Sequence, residues 1–126
     1  MRGISFWFVF LGTLFALAGM AWGVQMSMTQ DHQLAPAHAH NNLIGYVTMV
    51  IYGFYYALVP VASKSRLALV HFWVALVGSL TFGAGIAMAI QQKGEVLVQV
   101  STLFVLAGML IFAWTVWANR SALMSN

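Results

Sequence analysis

The sequence predicts an all-α, integral membrane bundle of four transmembrane helices. Three observations carry that expectation. Of 126 residues, 62% are hydrophobic and 6% are charged, far outside the composition of a soluble domain. Four apolar stretches, at about residues 4–24, 38–60, 67–90 and 96–118, each come near the roughly 20 residues a spanning helix needs. The charges lie between the stretches and are uneven: Arg2, Lys64, Arg66 and Arg120 flank ends on one side, while Lys93 stands on the other with Asp31 and Glu95. The positive-inside rule then puts both termini in the cytoplasm, as in a bacterial-type inner membrane. The whole chain, 1–126, reads as one membrane domain.

The same composition narrows the chemistry. With no cysteine there is no disulfide, no thiolate metal site and no covalent haem attachment of the C-x-x-C-H kind. The net charge of +3 is spread along the chain and does not form a nucleic-acid patch. There is no phosphate-cradling glycine loop, no nucleophilic serine motif and no carboxylate pair. Both acids, Asp31 and Glu95, fall in loops, so no intramembrane carboxylate is available to a proton pump.

The first stretch follows Arg2 and could be taken for a leader, but its apolar length exceeds the usual leader core and no clean A-x-A site closes it, so it is read as helix 1. Gly12, Ala16, Gly19 and Gly23 recur on it at spacings of three and four, a ridge of small residues of the kind that lets helices approach closely in lipid. Packing within the chain is the simpler use of that ridge, and a subunit contact is the other. A polar loop over residues 25–37 should follow, holding Met26, Met28, Asp31, His32 and Pro36. Met-x-Met followed by histidine suits a soft ion such as Cu(I). The simpler reading, which methionine's ordinary use as filler favours, is that Met26 and Met28 finish helix 1 and His32 is a solvated loop residue.

The second stretch opens on Pro36, a residue suited to a first helical turn, and carries His38 and His40 before Asn41 and Asn42. Polar groups at membrane depth are costly unless they bind something, which makes this turn the expected seat of function. At about 100° per residue, an i, i+2 pair leaves a regular helix about 200° apart, so the two imidazoles should serve separate partners. Only an unwound turn would let both meet one ion. Further along come Tyr46, Tyr52, Tyr55 and Tyr56; the last two, near the cytoplasmic end, are expected to be interfacial residues.

Lys64 and Arg66 mark a short basic turn before the third stretch, which begins with His71, Phe72 and Trp73. His71 should lie far across the membrane from His38 and His40, in a structural hydrogen-bonding role. Gly78, Gly83 and Gly85 lighten the other half of this helix, where a planar cofactor or a neighbouring helix would fit. The turn 91–95 returns to the histidine side, and its Lys93 is the natural counter-ion for any carboxylate or propionate bound there. The fourth stretch, without an ionisable residue, should build the bundle wall.

With these residues laid out, segment 38–85 resembles part of the catalytic subunit I of haem-copper oxidases, especially the cb-type oxidases and nitric oxide reductases. The matching letters are His38-Ala39-His40, Leu43-Ile44-Gly45-Tyr46, Gly53-Phe54-Tyr55-Tyr56, Leu58-Val59-Pro60 and His71-Phe72-Trp73. In that family the two histidines of H-x-H serve a high-spin and a low-spin haem from opposite sides of one helix. The resemblance therefore implies a b-type haem, with His40 as a low-spin axial ligand, His38 at a second site and Lys93 near a propionate. The chain departs from the family in having far fewer spanning helices, no copper-ligand histidine cluster and no second low-spin ligand. It is therefore not expected to be an enzyme on its own. The family's pseudo-threefold arrangement of four-helix units implies that a homo-oligomer, a trimer by analogy, would supply the missing ligands. Such a protein would transfer electrons, with a redox partner, or bind a gas. The other reading is a haem-free copper-binding or assembly protein, using Met26, Met28, His32, His38 and His40.

Overall fold

The computed structural model describes residues 3–124, so Arg2, one of the topology-marking cations, lies outside the described residues. The described chain is helical apart from its connecting turns. Its elements are α1 (Ile4–Thr29), a composite α2, the single turn α3 (Pro60–Ser63), α4 (Arg66–Ile90), α5 (Val96–Ala118) and the terminal turns of α6 (Arg120–Met124). The composite α2 runs without interruption over residues 35–58, as an α-helical turn Ala35–His40, a π-helical stretch Asn41–Thr48 and an α-helical stretch Met49–Leu58. Three helices, α1, α4 and α5, are each long and apolar enough to cross a membrane, which marks the chain as a membrane protein.

Local chemistry explains the ends. Ser65 caps α4 by accepting a hydrogen bond from the Ala68 amide at 3.1 Å. Helix α2 starts with Pro36 in its first turn and stops at Val59 (φ −122°, ψ 76°), the extended conformation a following proline imposes. The turn between α4 and α5 requires a left-handed residue at Gly94 (φ 118°), a position that suits glycine. The loop expected over residues 25–37 is far shorter than that. Helix α1 continues to Thr29 and α2 begins at Ala35, so Met26 and Met28 are helical residues. A polar run of Gln, Ser and Thr extends a helix once it has emerged from the apolar layer, because water can satisfy its side chains.

Packing follows the small residues. Gly12 lies against Met49 and Val50, Gly19 against the Asn42 amide and Gly23 against the His38 ring, so the ridge of α1 is spent on α2. The fit is reciprocal: Gly45 receives Phe15 and Gly53 receives Val9 and the Ser5 carbonyl. Helices α4 and α5 close on each other at Gly78 and Gly85, while Gly83 meets Ala37 and Asn41 of α2. All three glycines of α4 thus admit neighbouring helices. The two hairpins, α1 with α2 and α4 with α5, meet mainly through α2 and α4. Phe8, Met49, Tyr52, Tyr56 and Phe72 form the shared core, and large apolar side chains such as Leu17, Met20, Leu80, Leu103 and Leu110 point outward. An apolar exterior over a backbone that satisfies its own hydrogen bonds is the arrangement lipid demands.

Candidate functional site

His38 and His40 both lie in the regular α-helical turn that precedes the π-helical stretch, so they diverge as their spacing requires. His38 turns toward α1. Its ring meets Trp22 edge-on at 5.9 Å between centroids and lies over Gly23, where a Cβ would stand 3.3 Å from the imidazole. Its Nε2 is 3.4 Å from Nδ2 of Asn42, four residues on. Because that amide nitrogen can only donate, Nε2 accepts and Nδ1 carries the proton. His38 Nδ1 and Asn42 Oδ1 are then buried without a protein partner, an arrangement that needs an explanation at this depth.

His40 turns the other way, toward α4, and meets Phe82 edge-on at 5.5 Å. Its Nδ1 lies 2.7 Å from the Pro36 carbonyl oxygen. A carbonyl only accepts, so Nδ1 must carry the hydrogen and Nε2 keeps its lone pair. Proline contributes directly here: at the start of the helix its carbonyl falls one turn below His40, within reach of the imidazole. The ring is half-buried, accessible from outside the four-helix unit.

The remaining predicted residues are dispersed. Met26 is buried and lines a small polar cavity of about 90 Å³ with Trp22, Asp31 and Gln91, whereas Met28, two residues on, is 80% exposed. His32 sits exposed in the loop. Among the described residues no group of three or more His, Cys, Asp or Glu side chains converges as a metal site. Lys93 is exposed on the 91–95 turn, and Gln91 in that turn shares the cavity with Asp31, so the lysine lies at the histidine end of the bundle.

A second polar centre lies at the opposite end. His71 is fully buried and its Nδ1 is 2.9 Å from the Tyr56 hydroxyl, which gives it the structural bond expected of it. Four rings surround it, Phe8 from α1, Tyr52 and Tyr56 from α2 and Phe112 from α5, with centroids 4.4 to 5.9 Å away. Tyr56 is only 1% exposed, so it is a core residue and not the interfacial one its position suggested. The imidazole four-helix contact draws its hydroxyl inward, where an unpaired phenol would be costly. Neighbouring Tyr55 donates to the Thr115 carbonyl at 3.3 Å. Sequence spacing does not show the Tyr56–His71 pair, which joins two helices across 15 residues.

Tyr56→Phe is expected to cost about 1–3 kcal/mol, because it leaves a buried imidazole nitrogen without its partner. Thermal unfolding in detergent would show it, and Tyr56→Phe combined with His71→Phe should recover part of the loss. Equal melting of wild type and single variant would remove the pair from any account of stability.

Comparison of the chain with protein families, with characterised proteins and with solved structures finds no match.

Proposed function

We propose that the chain is a four-span membrane protein that holds haem b noncovalently, with His40 as an axial ligand, in a homo-oligomer. The observation that supports this most directly is the 2.7 Å bond from His40 Nδ1 to the Pro36 carbonyl. A metal-binding imidazole commonly donates its other ring hydrogen to a carbonyl, which fixes the tautomer and makes the free nitrogen a better ligand. His40 has that arrangement in a half-buried position with an apolar ring, Phe82, beside it. The donor set therefore fits a haem iron. His38 points to the other side of α2, as a second site served by a different partner would require.

The four-span reading rests on α2. Residues 35–58 make about 36 Å of helix at 1.5 Å per residue, enough for a hydrocarbon core of about 30 Å. Four spans place the two termini on one side, and Lys64, Arg66 and Arg120 favour the cytoplasm. Oligomerisation follows from His40 being accessible from outside the unit: a second axial ligand or an enclosing wall has to come from another copy, and the resemblance to subunit I of haem-copper oxidases favours a trimer. Bound haem would supply a one-electron couple or a gas-binding iron. The protein's own part would be to orient His40 through Pro36, to exclude water with apolar side chains and to pair a propionate with Lys93.

Protein purified in detergent should show b-type bands in a reduced-minus-oxidised spectrum. Absent bands together with stoichiometric copper on elemental analysis would instead support the reading built on Met26, Met28, His32, His38 and His40. Absence of both cofactors would leave a helical packing subunit.

A further inference from the structure

Between the first turns of α1 and α4 lies an apolar groove of about 520 Å³. Ile4, Trp7 and Leu11 form one wall, and Leu69, Trp73 and Leu76 the other. Its origin is in the packing. Helix α1 spends its glycines on α2, and α4 spends its own on α5 and α2, so no glycine of either helix is left for α1 and α4 to use on each other. Trp7 and Trp73, both more than half exposed or nearly so, hold the helices apart, while Phe8 against Phe72, 5.1 Å between centroids, closes the floor. From Ile4 to Leu11 the wall runs about 10 Å, most of the way through one leaflet of a core about 30 Å thick.

The mouth of the groove is cationic. Arg66, the first residue of α4, stands three residues before Leu69 and continues the stripe 66, 69, 73, 76 that forms the wall. Lys64 is two residues earlier, and both are exposed. The chain's two acidic side chains, Asp31 and Glu95, are in the connections at the other end of the bundle, so neither neutralises this pair. An apolar slot of leaflet depth with fixed positive charge at its mouth matches one chemistry: an acyl chain below an anionic headgroup.

We propose that this groove seats an acyl chain of an anionic phospholipid whose headgroup is held by Arg66, with Lys64 adding to the field. The proposal is independent of haem binding. A helix of a second copy is a poorer occupant, because close helix contact in lipid needs small residues and both rims here are tryptophan. A zwitterionic lipid would fill the slot without using the charge.

The two rim tryptophans provide the readout. Full-length protein is reconstituted in phosphatidylcholine vesicles containing a trace of brominated-chain lipid, and tryptophan quenching is followed. Brominated phosphatidylglycerol should reach half-quenching at a mole fraction about five-fold lower than brominated phosphatidylcholine, the factor one surface cation contributes. Arg66→Gln should bring the two lipids together, and Trp7→Phe with Trp73→Phe should remove the headgroup-dependent part of the signal. Equal quenching by both lipids in the wild type would overturn the proposal. So would a preference that persists unchanged in Arg66→Gln, or rim tryptophans that neither lipid reaches, the result expected if a second copy covers the groove.

Discussion

His40→Ala is expected to abolish the low-spin b-type spectrum of the purified protein while leaving its helical far-ultraviolet signal in place. The imidazole's one internal hydrogen bond is to Pro36, four residues back on its own helix, and its ring contact is with the edge of Phe82. Only the single edge-on contact with Phe82 crosses between the hairpins, so the cost to the fold should be that of a half-buried side chain, not of a core residue. Loss of the axial nitrogen, by contrast, removes the iron's bond to the protein outright. His38→Ala should leave the low-spin bands and disturb whatever occupies the other side of α2. Bands that survive His40→Ala unchanged would show that the iron is held elsewhere.

Within the α4–α5 contact, the largest effect on folding is expected at Gly85. A Cβ there would lie 2.7 Å from the Val98 amide nitrogen and 2.8 Å from its Cα, contacts with backbone that no rotamer change can relieve. Gly85→Ala must therefore push α4 and α5 apart at their shared turn, at a cost of about 1–3 kcal/mol. Gly78→Ala should cost less, since its nearest contact, at 3.2 Å, is a Val105 methyl that can yield a little. Gly108→Ala should be close to neutral, with Ala75 no nearer than 3.8 Å. Unfolding midpoints in detergent should rank the three variants in that order, with Gly85→Ala least stable. Indistinguishable midpoints would mean that the α4–α5 contact is looser than these distances.

Much of this arrangement was legible in the sequence, for reasons particular residues make clear. Apolar run length located the helices because lipid leaves little alternative for such segments. The divergence of His38 and His40 followed from helical pitch alone. The glycine ridge of α1 pointed to close packing, and α2 proved to be its partner. Other features depend on contacts between helices. The pull of His71 on Tyr56 exists only when α2 and α4 are docked, so Tyr56 looked like an interfacial residue. The extent of α1 past Val24 was hidden because its last turns are polar, and hydropathy marks the apolar layer, not the helix. The π-helical stretch left no pattern to read, since Asn41–Thr48 contains neither proline nor an insertion visible in one sequence.

That stretch also sets a phase. On an unbroken α-helix, Tyr52 would stand about 120° round from His40, twelve residues away. Yet both side chains meet rings of the same helix, α4: His40 meets Phe82 and Tyr52 meets His71. The wider turns of Asn41–Thr48 absorb the missing rotation, so the two ends of α2 can dock on one neighbour. Helix α2 thus behaves as a shaft with a fixed offset between its ends. Removing one residue would leave a spacing that unbroken α-helix turns by about 20°, so that deletion should straighten the stretch and keep both ends on α4, whereas removing two would swing the histidines about 80° from the tyrosines. The spacing between His40 and Tyr52 is therefore as much a part of the site's specification as the residues themselves.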